Sequence, residues 1–493
     1  MKLKIKFIKW NAGIPSAMLD KNTADKMGIH TGDRISIKTL SKYPQEIAVM
    51  VDLVDKIVGK NQVAVSSEIS DKINLKKSQV VDVNLASTSK SVLHIKKKLD
   101  GKKLSQKEIN EIVRDVVNNS LSQAEVALFI SSMYVRGMDF KETIYLIKAI
   151  LKTGNMLSLK SKFVVDKHSI GGIPGNRVTP IVVSICAAAG LVFPKTSSRA
   201  ITSAAGTADV MEAIAKVEFS IKETREIIKK VGACIVWGGS IGMVPADSKI
   251  ISTEKILKID PQAQLLASIM SKKLAVGSRY ILIDIPYGKH AKLSKLKSLR
   301  LKRKFERLGR YFHKKLKVVL TKGDQPIGNG VGPSLELMDI VKILDPSQNG
   351  PEDLQKKSVF MAGQLLEMTG KAKSGKGENL AMEILSSGKA FEKFKEIVKA
   401  QQGSLKKIKY AKLKHDLHAK SSGRVREIHN KKINELARLA GCPVDKSAGI
   451  YIDVHLGNRV KKGSKIATIY SETKARLTTA IDFFNSKKPI KIR

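Results

Sequence analysis

Cysteine is scarce: Cys186, Cys234 and Cys442 are the only three among 493 residues, and they are scattered. Neither a disulfide framework nor a cysteine-based metal site is indicated, and a reducing, cytoplasmic compartment is expected. Long apolar runs are also missing. The longest, "PIVVSICAAAGLVFP", is too short to span a bilayer, so no membrane partner is expected. The opening "MKLKIKFIKW" sets Lys2, Lys4 and Lys6 at alternate positions, which breaks up any signal-peptide apolar core and reads as a strand with one wet face. No long internal repeat and no low-complexity linker is found.

Negative charge is in short supply. Lys plus Arg number 89 against 45 Asp plus Glu, a formal net charge of +44. Such an excess raises a nucleic-acid partner as one reading. The densest basic stretch, Lys289 to Lys322, nevertheless carries Leu301, Phe305, Leu308 and Phe312 at helical spacing, so its lysines lie on the outer face of a packed helix. Aromatics are 5% of the chain and are not interleaved with the basic residues as stacking platforms would be. Nucleic acid is the weaker reading; the same charge attracts phosphorylated small molecules.

What is present falls into an α/β central domain with a helical subdomain, plus a small β-rich N-terminal domain and an α+β C-terminal domain. Residues 1–85 alternate short β segments with turns, as in a small barrel. Residues 86–160 show apolar spacings of three and four, with capping boxes at Ser105–Glu108 and Ser122–Glu125, and are expected to be joined by about 250–275. Residues 161–400 alternate apolar strands with helical patterns, the mark of an α/β sheet. Residues 405–493 return to β pattern with helices between.

Two segments carry chemistry. In "VVDKHSIGGIPGNRVTP" an apolar strand runs through Lys167, His168 and Ser169 into Gly171 and Gly172, then a helix: a phosphate cradle, since free N–H groups and the helix dipole favour an anion there. An ordinary β-to-α turn is the bland alternative, but it would need none of those polar side chains. Residues 196 to 212, "TSSRAITSAAGTADVME", surround Arg199 with small and hydroxyl side chains, which supply donors without bulk. Two such loops a helix apart would converge at one edge of a parallel sheet. His415 and His418 have no companion ligand set, so no metal is assigned.

The motifs "KHSIGG", "SSRAITSAAGTADVME", "IDPQAQLLASIMSKKLA" and "GDQPIGNGVGPSLE", in this order, resemble the thymidine and pyrimidine nucleoside phosphorylase family. The likeness is closest to its archaeal branch, which carries an extra N-terminal domain like residues 1–85 here. Anthranilate phosphoribosyltransferase, with its own lysine-histidine-glycine turn, is a more distant relative in fold. The resemblance implies a cytoplasmic, metal-independent pentosyltransferase converting AMP and phosphate into adenine and ribose 1,5-bisphosphate. Phosphate would be a co-substrate with no cofactor, and the enzyme a homo-oligomer assembled through its helical subdomain. Alternatives are a pyrimidine nucleoside phosphorylase and, from another class, a basic RNA-binding protein without activity.

By the same resemblance, Lys167, Ser169, Ser197 and Thr207 contact phosphate. Gly172, Ser198, Arg199, Ala200, Ile201, Thr202, Ser203 and Thr207 contact the nucleotide, together with Ser268, Lys272 and Lys292. Asp260 matches the proton donor, with His168 as the competing acid. A carboxylic acid can serve near neutrality if burial raises its pKa, and Asp260 sits between Ile259 and Pro261, where packing could do so. A plain helix N-cap is the other reading of that residue. Ser268 and Lys272 share a helix face, while Lys273 beside them is expected to point to solvent. Two departures bear on substrate. Thr253 stands where the pyrimidine enzymes carry an arginine, and Arg177 adds a positive charge expected to help hold a 5′-phosphate.

Overall fold

Leu3 and Ile5 are buried between lysines because successive strand residues face opposite sides. That alternation begins the first strand of a six-stranded barrel in the computed structural model, which describes residues 1–8, 15–86, 89–200 and 203–493. The strands β1 (Lys2–Phe7), β2 (Ser16–Asp20), β3 (Arg34–Thr39), β4 (Glu46–Val54), β5 (Gln62–Val65) and β6 (Val80–Leu85) close in the order β1-β5-β2-β4-β3-β6. Closure removes exposed edges, and Leu19, Ile35, Ile37, Val49 and Val83 fill the interior.

The chain divides into two compact units, Met1–Thr153 with Pro245–Ser268, and Gly154–Val244 with Ile269–Arg493. In the first, the barrel is followed by helices Lys90–Leu99, Gln106–Asn118, Gln123–Arg136 and Phe140–Lys152. The capping boxes at Ser105 and Ser122 are both formed, and a third at Asp139–Glu142 opens the last helix. The returning helix Pro245–Leu257, which precedes the "LLASIMSKKLA" segment, packs on Gln106–Asn118 and Gln123–Arg136. Its Lys249 ammonium donates to the Val117 carbonyl at 2.6 Å, meeting one of the carbonyls a helix end leaves open.

The second unit is built on parallel strands β7 (Val165–Ser169), β8 (Phe193–Ser197), β9 (Ala233–Trp237), β10 (Tyr280–Tyr287) and β11 (Lys315–Lys322). They form the sheets β11-β10-β7 and β8-β9, joined by a bridge between Val164 and Val192. Read across, the order is β9-β8-β7-β10-β11. The chain winds one way from β7 to β9, then jumps back past β7 to β10. Such a reversal opens a crevice beyond the carboxyl ends of the two strands flanking it, here β7 and β10.

The basic stretch forms helix Lys295–Tyr311, with Leu301, Phe305 and Leu308 buried. The region beyond residue 405 supplies three strands of a four-stranded sheet in the order Gly330–Val331, Gly449–Ile452, Lys465–Ser471, Leu413–His418, and all of a three-stranded one in the order Arg459–Val460, Gly423–Ile428, Ile490–Ile492. Helices Asn430–Ala440 and Lys474–Lys487 accompany them. The "GNGVGP" turn thus lends a two-residue strand to the C-terminal sheet before Pro333 opens a helix at its first turn. Among the described residues no helix is long and apolar enough to cross a membrane.

Candidate active site

Lys167 is 1% exposed, an unusual burial for a lysine, and stands on its strand between the buried Asp166 and a half-buried His168. Burial lowers its pKa to about 7, and the nearby Lys357, Lys195 and Arg177 push the same way against Asp284. Asp284, on β10, accepts from the Thr321 hydroxyl at 2.7 Å and pairs with Lys357 at 3.0 Å. Burial alone would raise its pKa; these partners and Lys167 hold it below the usual carboxylate value. Asp166 is fully buried and carries two cations, Lys273 at 2.6 Å and Lys195 at 3.5 Å. Five cations (Lys167, Lys195, Lys273, Lys357, Arg177) therefore crowd three carboxylates (Asp166, Asp284, Glu336), so the region carries a surplus of buried positive charge.

Lys273, expected from the sequence to face solvent, is instead fully buried, its pKa lowered by burial and by Lys195 against Asp166. One helical step turns a side chain by about 100°, so Lys272 and Lys273 cannot share an environment, and the buried Asp166 takes the second.

Polar atoms without partners sit at the strand ends beside this charge. The hydroxyls of Ser169 and Thr196 are both buried and make no hydrogen bond. Five residues beyond the Val164–Val192 bridge, the two strands end at Ser169 and Ser197. A buried hydroxyl without a partner is costly, and an anion with oxygen acceptors would satisfy both.

The two loops do meet, and Arg177 joins them. Its guanidinium donates to the Thr207 hydroxyl at 2.9 Å, the Ala205 carbonyl at 2.8 Å and the Glu336 carboxylate at 2.6 Å. Three of the five N–H donors of the side chain expected to hold a 5′-phosphate are thus committed inside the protein. The Thr207 oxygen accepts from Arg177, which leaves its own proton to donate.

Arg199 also departs from expectation. It forks onto Glu212 with two bonds of 2.7 Å, reaches Glu218 at 2.8 Å and lies over the Trp237 ring. Glu212 raises the guanidinium pKa, and Arg199 in turn draws Glu212 down to about 2. The loop's amides are likewise partly committed. The Asp209 carboxylate takes the N–H of Ala200 at 2.6 Å and of Gly206 at 2.7 Å, and Asn434 takes that of Ala204 at 3.1 Å. Ser203 bonds the Ala205 carbonyl at 3.0 Å, and Ser198 is exposed. Ile201 and Thr202 lie outside the described residues.

At the switch point the turn after β7 touches the turn after β10. Gly172 has φ +95°, and a Cβ there would come within 3.2 Å of the Lys292 Cβ and 3.3 Å of its nitrogen. Gly172→Val is expected to strain the backbone by about 1–3 kcal/mol and push the Lys292 turn away. An increased KM for the nucleotide with little change in KM for phosphate is the outcome to look for in steady-state kinetics. Lys292 itself is exposed, and two residues earlier His290 bonds Glu427 at 3.0 Å and stacks on His429.

His168 is half-buried, and its pKa is lowered well below the usual value, first by burial and then by Lys273, Lys195, Lys272 and Lys167. It is a neutral imidazole near pH 7. Asp260 and Ser268 belong to the first unit and Lys272 to the second, although helix Gln262–Ala275 carries both Ser268 and Lys272 on one face. Ser268 is buried. Asp260 is exposed rather than packed: Lys258, at φ +54°, turns the connector outward, and Pro261 is the residue that goes inside.

Asp166, Lys195, Asp209, Asp284, Glu336 and Lys357 escaped the sequence reading. A signal existed for three of them. "VVDK", "FPKTS" and "YILIDIP" each place a charge inside an apolar strand, and a buried charge needs a partner.

Fold and site put the chain among the glycosyl transferases. Residues 93–154 match the helical bundle domain of the glycosyl transferase family, 161–391 its a/b domain, and 424–491 the pyrimidine nucleoside phosphorylase C-terminal domain. The fold is similar to that of anthranilate phosphoribosyltransferase from Thermus thermophilus, with a TM-score of 0.52 at 20% identity over 63% of this chain and 99% of that one. AMP phosphorylase of Thermococcus kodakarensis is 43% identical and that of Pyrococcus furiosus 41%, each over 100% of this chain and 98% of the relative. That of Methanococcus aeolicus is 40% identical over 99% of this chain and 97% of its own length. The chain belongs to the AMP phosphorylase family.

Proposed function

We propose that this chain catalyses phosphorolysis of nucleoside 5′-monophosphates, turning AMP and phosphate into adenine and ribose 1,5-bisphosphate. An oxygen of phosphate bonds to C1′ while the bond from C1′ to the base nitrogen breaks, and its electron pair leaves with the base. The base departs more readily once protonated, at N7 for a purine. The observation that carries this reading is the buried Lys167 amid surplus positive charge, beside two hydroxyls that lack partners. An anion with several acceptor oxygens answers both needs, and full-length likeness to AMP phosphorylases names the reaction.

Lys167, Ser169, Ser197 and Thr207 take the phosphate in this scheme. Gly172, the loop from Ser198 to Ser203, Thr207, Ser268, Lys272 and Lys292 take the nucleotide, with Arg177 and Arg199 positioning the loop rather than touching substrate. The family likeness gives proton donation to Asp260, with His168, whose pKa is lowered by burial, as the competing group; since Asp260 is exposed in the free chain, that role requires the bound base to cover it. Thr253 is buried on its helix, its hydroxyl donating at 3.5 Å to the Lys249 carbonyl, and as a threonine it offers no guanidinium to a pyrimidine carbonyl. The exposed Leu93, Tyr134 and Val135, on helices that pack side by side in the bundle, support assembly into a homo-oligomer through that subdomain.

A base-release assay tests the reading. AMP, CMP, UMP, adenosine, uridine and thymidine would each be incubated with and without phosphate. Phosphate-dependent adenine release from AMP, faster than base release from any nucleoside, is expected. Release confined to uridine and thymidine would replace the proposal with pyrimidine nucleoside phosphorolysis.

A further inference from the structure

Like charges directly opposite on an antiparallel ladder repel one another, and a fold gains nothing by keeping them there. The C-terminal domain keeps such a pair: Arg424, on strand Gly423–Ile428, is the register partner of Arg459. Arg426 lies two residues along the chain and is exposed like Arg424, and Lys461 follows two residues beyond Arg459. These four cations line an open cavity of about 730 Å³ whose wall is completed by Gly423 and Val460. No acidic residue lines it, and none of the four makes an ion pair among the described residues. The carboxylate next along the strand, Glu427, is taken by His290, Lys491 and Lys289. The strand carrying Arg424 and Arg426 is fastened by Arg459–Val460 and by Ile490–Ile492; Arg424 rises from the hydrogen-bonded ladder, and Arg426 from the irregularity between Val425 and Glu427.

Guanidinium groups fork onto phosphate oxygens, and several held together match a chain of phosphates better than a single one. The volume suits a small molecule of nucleotide size. No aromatic lines the cavity, so it offers no platform for stacking a series of bases. We propose that the cavity between Arg424, Arg426, Arg459 and Lys461 binds the polyphosphate chain of a small molecule, either a nucleoside triphosphate or an inorganic polyphosphate. It shares no residue with the cradle at the end of β7, and it does not depend on the reaction assigned to that cradle.

Isothermal titration of the full chain with inorganic tripolyphosphate, and separately with ATP, tests this. The wild type is expected to take up one equivalent of tripolyphosphate that Arg424→Ala/Arg459→Ala binds at least about tenfold more weakly, a loss that added salt imitates. AMP phosphorolysis without polyphosphate should be unchanged in that variant. A thermal melt no lower than wild type would show it folded, and Arg426→Ala gives the same weakening without touching the opposed pair. Tighter binding of ATP than of tripolyphosphate identifies a nucleoside triphosphate, and equal binding identifies the phosphate chain alone; both support the site. Equal uptake by wild type and variant overturns it. So does a single-stranded RNA oligonucleotide that binds more tightly than tripolyphosphate and is lost in the same variant, since that would make the face a nucleic-acid surface.

Discussion

Asp166→Asn is expected to cost the second unit about 3–5 kcal/mol, read as a lower midpoint of thermal or urea unfolding. Asn keeps the shape of the side chain and removes only its charge. Two ammonium groups, Lys273 at 2.6 Å and Lys195 at 3.5 Å, would then lie buried without their carboxylate. The loss has a ceiling, because Lys273 already has a lowered pKa and can escape by releasing its proton. Asp166→Asn/Lys273→Met should recover much of the deficit. A double variant as unstable as the single one would mean that the loss is not electrostatic.

Lys167→Met is expected to behave in the opposite way, lowering kcat/KM for phosphate about a thousandfold while leaving the protein as stable or stabler at pH 7, by up to about 4 kcal/mol. A buried ammonium opposes folding, and an apolar side chain of similar length does not. The pH dependence carries the sign. The native pKa of about 7 lies below the ordinary lysine value of 10.5, so below pH 7 the folded protein bears the whole cost of the buried charge. Between those values the native state has lost a proton that the unfolded chain keeps, and wild-type stability should climb with pH across that window. Unfolding midpoints at pH 6.5 and 9, compared between wild type and Lys167→Met, check this: the variant should show a smaller climb. Equal climbs would remove Lys167 as the cause.

Features set by near neighbours in sequence were legible. The caps at Ser105 and Ser122 follow from a hydroxyl and a glutamate three residues apart, and the lysine alternation of β1 from strand geometry. The two loops announced themselves through glycine and hydroxyl content, and their meeting follows from strand-helix-strand winding. Partner choice was not legible. Lys272 and Lys273 are the same residue type side by side, and the acid that draws in the second lies 107 positions away. Arg177 reads as a free cation until Glu336, 159 positions on, is brought to it. Arg199 looked like the heart of a cradle because Glu212 and Glu218 do not reveal from sequence that they fold back onto it. Long-range pairing of charges is settled by burial, which periodicity reports for apolar residues and hardly at all for charged ones.

The last ninety residues reach back into the α/β domain at four points. Asn434 holds the amide of Ala204, Lys446 meets Glu212, Glu427 grips His290, and Gly449–Ile452 runs alongside Gly330–Val331. None of these contacts involves a residue proposed to meet substrate, yet Ala204 adjoins the proposed Ser198–Ser203 loop and His290 lies two residues from Lys292. Deleting the region is expected to leave every proposed contact residue in the chain and still forfeit turnover, because the turns that carry them would lose their outside scaffolding.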